Sequence, residues 1–384
     1  MKFEFATANR IIFGQGALQE AGALARVMGS RALVVTGKDD RRAQPLRQLL
    51  RDSSVASGSF PVPGEPTVAL IEEAVAFARR EQCDMTVGFG GGSAMDTAKA
   101  VAALLPNAGS VLDYVEVIGR GLPLQKASVP CLAIPTTGGT GAEVTRNAVI
   151  ASPAHRVKVS LRSPFLIPTA AIVDPDLTLT VPPAATAYTG MDALTQVIEP
   201  FTSNRANPLT DGFCREGLAR VVRSLQIAFH DGADRAARED LCIASLFGGL
   251  ALTNAGLGAV HGLAGPIGGM FKAPHGAVCA ALLPHIIRAN IAALRAREPK
   301  SETLARYDEI GQVLAGCAEG RAANAIAWIE SINSELEIPR LRSYGIEPGD
   351  FPVIIAKAGH SSSMKANPVQ LTTEELNGAL EMAM

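Results

Sequence analysis

The first half of the chain alternates short apolar runs with stretches of helical period. Arg10-Ile11-Ile12-Phe13-Gly14 predicts a strand ending in glycine, Ala17 to Val27 a helix, Arg31 to Thr36 a second strand and Pro45 to Asp52 a helix. Val68 to Arg80 predicts another helix, leading into the buried strand Cys83-Asp84-Met85-Thr86-Val87. Cys131-Leu132-Ala133-Ile134-Pro135 predicts one more strand. This alternation argues for a parallel sheet covered by helices. From Ala184 onward the segments lengthen and keep helical spacing, as in Pro208 to His230, Ala236 to Leu252 and Arg321 to Leu336. Almost no β-branched alternation appears there, so this half reads as all-helical. The breaker cluster Asp174-Pro175-Asp176-Leu177 with Pro182-Pro183 sets the expected boundary. The expected domains are therefore an α/β domain over 1–181 and a helical domain over 182–384.

Two polar loops interrupt the α/β pattern. Gly88-Phe89-Gly90-Gly91-Gly92-Ser93 stands where a strand turns into the alanine-rich helix Ala94 to Leu104. Glycines there let backbone approach a ligand, and the helix start offers free N–H groups and a positive dipole end that suit phosphate. A tight turn with close packing explains the same glycines without a ligand. The pattern is neither a Walker loop nor the spaced-glycine dinucleotide fingerprint. Thr136-Thr137-Gly138-Gly139-Thr140-Gly141 is a second loop of hydroxyls and glycines after a strand.

In the helical half, Asp192 and Gln196 lie four apart and share a helix face. His261 and His275 follow, with glycines and prolines between them that are expected to break the helix and let both rings turn toward one point. A carboxylate with two imidazoles suffices for Fe(II) or catalytic Zn(II), and Gln196 adds a weak carbonyl oxygen. The competing explanation is a pair of hydrogen-bonded core histidines.

Composition narrows the function classes. A chain of 384 residues, 47% hydrophobic, exceeds one ordinary domain and fills its cores. A net charge of −2 with no basic run gives no sign of a nucleic-acid partner. The six cysteines, Cys83, Cys131, Cys214, Cys242, Cys279 and Cys317, include no Cys-x-x-Cys pair and read as buried thiols in a reducing compartment. No signal peptide is apparent, and no apolar stretch is read as reaching the ~18 residues that span a bilayer, so a soluble cytoplasmic protein is expected.

With these pieces assembled, the chain resembles the iron-containing, group III alcohol dehydrogenase family over nearly its whole length. The resemblance rests on Phe13-Gly14-x-Gly16, on Gly90-Gly91-Gly92-Ser93-x-x-Asp96-x-x-Lys99, and on Ile134-Pro135-Thr136-Thr137-x-x-Thr140-Gly141-x-Glu143-Val144-Thr145. It continues through Gly190-Met191-Asp192-Ala193-Leu194, Asn254-Ala255-Gly256-Leu257-Gly258-x-x-His261, Pro274-His275-Gly276 and Asn367-Pro368. It implies a Rossmann-like dinucleotide-binding domain of parallel sheet, an all-α metal and substrate domain, a dehydroquinate synthase-like architecture, and a site in the cleft between the domains. By similarity, NAD or NADP would place its pyrophosphate on Gly91, Gly92 and Ser93, with Gly90 and Asp96 also on the cofactor side. Thr136, Thr137, Thr140 and Thr145 would line the nicotinamide end, Lys158 would lie near the ribose, and Leu177 near the adenosine. Asp192, Gln196, His261 and His275 occupy the four metal positions, with Asp192, His261 and His275 as the catalytic set. Members are often dimers, so a homodimer is the expected assembly.

Three departures change the picture. Gln196 stands where the family usually has histidine, so Fe(II) or Zn(II) is expected to bind at lower occupancy. Gly265 replaces a histidine one turn after His261, removing a proton relay. Thr36-Gly37 replaces a Thr-Asp pair that selects NAD, leaving NADP open, although Asp39 is close. The expected activity is hydride transfer between nicotinamide and a small alcohol, aldehyde or keto acid. A maleylacetate reductase acting on a dicarboxylate with little metal is the alternative, with Arg146, Lys158, Arg162 and Lys272 as its candidate cations, unless these are solvated or face the cofactor. A dehydroquinate synthase-like lyase ranks lower, because no basic cluster surrounds the metal positions. A cofactor-binding protein without catalysis is the last reading.

Overall fold

The computed structural model describes residues 2–384. It divides into two compact units, one of Ala6–Thr137 and Gly141–Leu179, the other of Thr180–Met384 with Gly138–Thr140 and the N-terminal residues through Phe5. The cut falls at Leu179–Thr180, against residue 181 expected from sequence, and three residues of the second threonine-glycine loop go with the helical unit.

The α/β unit carries β1 (Arg10–Phe13), β2 (Arg31–Thr36), β3 (Ala56–Pro61), β4 (Met85–Gly90), β5 (Cys131–Pro135), β6 (Asn147–Ser152), β7 (Val157–Arg162) and β8 (Ala170–Val173). Six of these form one sheet in the order β1-β8-β5-β4-β2-β3, with every neighbouring pair parallel. Leu33 and Val35 enter one apolar cluster while Ala32 and Val34 enter another, and Cys131 and Ala133 divide from Leu132 and Ile134 in the same way. Burial on both faces explains why β2 and β5 read as unbroken apolar runs. Strand β4 runs to Gly90, so the expected Cys83–Val87 strand is displaced toward the glycines. A Cβ on Gly88 would stand 2.8 Å from Met95 Cε, so this glycine admits the helix Gly92–Leu104 against the strand. Strands β6 and β7 pair antiparallel as a separate ribbon. Asp174, just beyond β8, accepts from the backbone N–H groups of Gly16, Leu18 and Asp176, and Gly14 and Gly16 take positive φ (143° and 77°), which accounts for the glycines of the Phe13-Gly14-x-Gly16 motif.

The helical unit is built around Pro183–Thr202, packed by Pro208–His230, Arg235–Ala255 and His275–Arg297. Proline at the first position of Pro183–Thr202 and Pro208–His230 suits a turn with no intrahelical acceptor for its N–H groups. The expected break between His261 and His275 is shorter than the sequence suggested. Helix Ala259–Met270 runs through Gly262, Gly265 and Pro266, and only Phe271–Pro274 separates it from His275–Arg297. The latter helix also corrects the expectation that no apolar stretch matches a bilayer. It is long and apolar enough to do so, with 72% of its apolar window buried inside the protein.

Candidate functional site

The glycine turn of the α/β unit is made of backbone. Gly91 caps the helix Gly92–Leu104 with no side-chain bond; Ala94 N–H donates to Gly91 O, which leaves the N–H groups of Gly92 and Ser93 without an intrahelical acceptor. Gly90 and Gly91 differ in what holds them. A Cβ on Gly90 would fall 2.8 Å from Ala94 Cβ, whereas one on Gly91 would meet only Thr137, at 3.4 Å. Gly90 is therefore required by packing, and Gly91 is free of that requirement. Ser93 follows in the first helical turn.

The remaining cofactor-side residues divide into those near the turn and those engaged elsewhere. Thr136 is buried beside it, its N–H donating to Gly90 O, and Thr137 faces Gly91. Thr145 accepts from Lys99, whose buried ammonium also reaches Ala142 O and Asp96. Asp96 accepts from Val149 N–H as well. Burial pushes its carboxyl up, against the pull of Lys99. Lys158 is paired at 2.8 Å with Glu65, and Leu177 offers its carbonyl to Arg42. Thr140 belongs to the helical unit, not to the unit holding the other three threonines. At the end of β2, Gly37 faces open space, and Asp39 is clamped by Arg41 through two hydrogen bonds of 2.8 and 3.0 Å.

The second site lies wholly in the helical unit. Asp192, Gln196 and Glu199 share one face of Pro183–Thr202 at intervals of four and three residues. His261 comes from Ala259–Met270, and His275 opens the next helix. Gly276 brings that helix in, since a Cβ there would overlap the carbonyl of Tyr188 and stand 3.3 Å from Asp192 Cβ. His261 Nε2 lies 3.3 Å and His275 Nε2 3.8 Å from Asp192 Oδ1. His275 Nε2 in turn lies 3.7 Å from Cys279 Sγ. One ligand atom from each of Asp192, His261, His275 and Cys279 falls within 4.8 Å of all the others. His275 keeps 35% of its side chain open, while Asp192 and His261 are buried.

Two residues here were not read from sequence. Glu199 fixes His261, accepting from its Nδ1 at 2.6 Å and from Val260 N–H at 2.7 Å. Its seven-residue spacing from Asp192 was the available signal. Cys279 stands one turn after His275, a spacing hidden in an alanine-rich helix.

The cluster fits a cation. Among the described residues, seven buried side-chain atoms have no hydrogen-bond partner, and three belong here: Asp192 Oδ1, Gln196 Oε1 and His261 Nε2. Such buried polar atoms carry a desolvation cost unless something serves them. Burial acts against the charge on Asp192, yet His275 and His261 hold its carboxyl below the ordinary range. Burial likewise opposes charge on both imidazoles, but Cys279 and the neighbouring carboxylates hold them above theirs. Positive charge is thus favoured among these groups, and a divalent ion supplies it without proton uptake.

The profile of iron-containing alcohol dehydrogenases matches residues 8–175, and that of the C-terminal region of the same family matches residues 186–384. The chain belongs to the iron-containing alcohol dehydrogenase family. It is 34% identical to alcohol dehydrogenase 4 of Saccharomyces cerevisiae over 380 residues, covering 97% of this chain and 96% of the yeast protein. It is 32% identical to a crystal structure of 1,3-propanediol oxidoreductase, with a TM-score of 0.92 and full coverage of both chains. Sulfoacetaldehyde reductase from Bifidobacterium kashiwanohense, solved with NAD+, is 28% identical with a TM-score of 0.86, covering 99% of this chain and 98% of that one. As a family member the chain is an oxidoreductase that moves hydride between a nicotinamide and an alcohol or carbonyl carbon. The family works with NAD(H) and a metal.

Proposed function

We propose that this dehydrogenase interconverts small alcohols and their aldehydes, using Asp192, His261 and His275 to hold a divalent metal, Fe(II) or Zn(II), with Gln196 as a weak further donor. The observation that carries this is the trio of unpartnered buried atoms on Asp192, Gln196 and His261, beside the half-open ring of His275. When bound, the metal supplies Lewis-acid stabilisation of alkoxide charge, worth several kcal/mol at such sites.

The residues do the rest. Glu199 holds Nδ1 of His261, so Nε2 is the ring atom left to face Asp192. Gln196 Nε2 donates to Asp192 Oδ2 at 3.1 Å, which engages one carboxylate oxygen and leaves Oδ1 for the ion. The open edge of His275 gives the substrate oxygen its entry. With Gly265 one turn after His261, and nothing within 4 Å of where its Cβ would lie, the alcohol proton leaves to solvent on that side without a ring to carry it.

On the cofactor side, Gly91, Gly92 and Ser93 bind the pyrophosphate, and Thr136 and Thr137 stand beside them. Gly37 carries no acid to repel a 2′-phosphate, and Asp39 is already neutralised by Arg41. NADP(H) is therefore accepted along with NAD(H). The maleylacetate alternative loses two of its four candidate cations, since Lys158 is held by Glu65 and Arg162 by Glu116. Six free thiols, Cys317 exposed among them, suit a reducing compartment such as the cytoplasm.

Oxidation of NADH and NADPH should be followed against short aldehydes, dialdehydes, keto acids and a maleylacetate-type dicarboxylate, before and after chelation. Aldehyde reduction lost on chelation and restored by Fe(II) or Zn(II) is expected. Turnover of the dicarboxylate alone, indifferent to chelation, would overturn the proposal.

A further inference from the structure

Gln196 is a poor substitute for an imidazole, and its geometry shows why. Its amide nitrogen donates to Asp192 Oδ2 and to Gly139 O, both at 3.1 Å. Turning the amide over would set its oxygen against those two acceptors, so the orientation is fixed. The residue has only a neutral carbonyl oxygen left to offer a metal. One turn beyond His275, a thiol has entered the same cluster.

We propose that Cys279 is itself a ligand of the metal in this site, and that the set Asp192, His261, His275 and Cys279 binds Zn(II) in preference to Fe(II). The inference rests on the reading above that a divalent ion occupies the cluster. Three observations carry it. The separations are 3.3 Å between His261 and Asp192, 3.8 Å between His275 and Asp192, and 3.7 Å between Cys279 and His275, with all four ligand atoms within 4.8 Å of one another. Four-coordinate zinc with bonds of 2.0–2.3 Å has ligand atoms about 3.5 Å apart. Cys279 is fully buried, so its thiol serves no solvent-facing chemistry. Finally, Asp192 Oδ1 and His261 Nε2 face each other at 3.3 Å without a hydrogen bond to any group.

On coordination, Sγ gives an electron pair to the metal and its proton goes to solvent. A carboxylate and a thiolate together cancel the charge of a divalent ion, whereas a carboxylate with neutral rings leaves one positive charge. The thiolate-containing site is therefore a milder Lewis acid and a softer one, which favours zinc.

The test uses the full-length protein stripped of metal and titrated with Co(II). Binding with visible d–d bands and an intense near-ultraviolet sulfur-to-cobalt band is expected. Cys279→Ala should lose the sulfur band, weaken Co(II) binding by roughly 100-fold, as even outer partners of a metal cost 10–100-fold, and lower the Zn(II)/Fe(II) preference. Adding Gln196→His to Cys279→Ala should restore tight binding without the sulfur band, which a merely structural role for Cys279 does not predict. Cobalt binding with d–d bands and no sulfur band, or a band that persists in Cys279→Ala, overturns the thiolate ligand and leaves the metal reading standing. No uptake of Co(II) or Zn(II) by the unmodified protein overturns both.

Discussion

The glycine turn of the α/β unit and the aspartate–histidine–cysteine cluster of the helical unit are built from opposite materials. The first is backbone: its useful groups are N–H donors, and its side chains matter mainly by being absent. The second is side chain, drawn from 192–199, from His261 and from 275–279. A backbone site has few ways to vary, since on the proposed reading a Cβ at Gly91 would stand where the pyrophosphate is to lie. A side-chain site can exchange members as long as its buried atoms are served. Gln196 and Cys279 read as two halves of such an exchange.

That contrast can be broken by a pair of substitutions. Asp192→Ala should lower kcat about 10³-fold or more, the equivalent of several kcal/mol of transition-state stabilisation. Cofactor affinity by fluorescence titration should stay unchanged, and metal content should fall. Gly91→Val should do the reverse, raising the cofactor Kd by more than about 100-fold through exclusion of the pyrophosphate. Metal content and thermal unfolding should stay near wild type, because a Cβ there meets only Thr137 at 3.4 Å. If either variant damages both sites equally, the two are not separable.

A third measurement probes the loop after β5. Burial pushes the Glu143 carboxyl up to about 7 from 4.5, against its own backbone N–H and the attraction of Lys99. Between those values the folded chain binds more protons than the unfolded one, so stability falls as pH rises. The contribution is intact below 4.5 and lost by about 7, amounting to at most about 3 kcal/mol. Glu143→Gln should therefore flatten the fall in Tm between about pH 5 and pH 7.5. An unchanged slope would assign the pH dependence to another group. The smallest effect is expected at Gly37, where Gly37→Asp should raise the KM for NADPH about tenfold and leave that for NADH nearly unchanged.

Much of the fold was legible because the sheet is buried on both faces. Strands β2 and β5 are continuous apolar runs with no competing period. β3 escaped notice because Ala56-Ser57-Gly58-Ser59-Phe60-Pro61 is an edge strand of small polar residues, whereas β8 escaped although β1, of the same four-residue length, did not. β6 and β7 carried a readable signal, with buried Val157, Val159 and Leu161 alternating with the polar Lys158, Ser160 and Arg162, but they stand outside the sheet and its alternation with helices. At the site, histidines and an aspartate announce themselves by residue type. Glu199 and Cys279 do not, since a glutamate on a long helix and a cysteine among alanines have ordinary readings. Only the packing of three helices, with Gly276 allowing the closest approach, gives them partners.

Gln196 sends one amide hydrogen to the carboxylate of Asp192 and the other to Gly139, two residues along the chain from Thr137. A single side-chain amide therefore joins that carboxylate to the backbone of the threonine-glycine loop. The loop thus contributes to both units: Gly138–Thr140 is tied by this amide to the carboxylate of Asp192, while Gly91 is not.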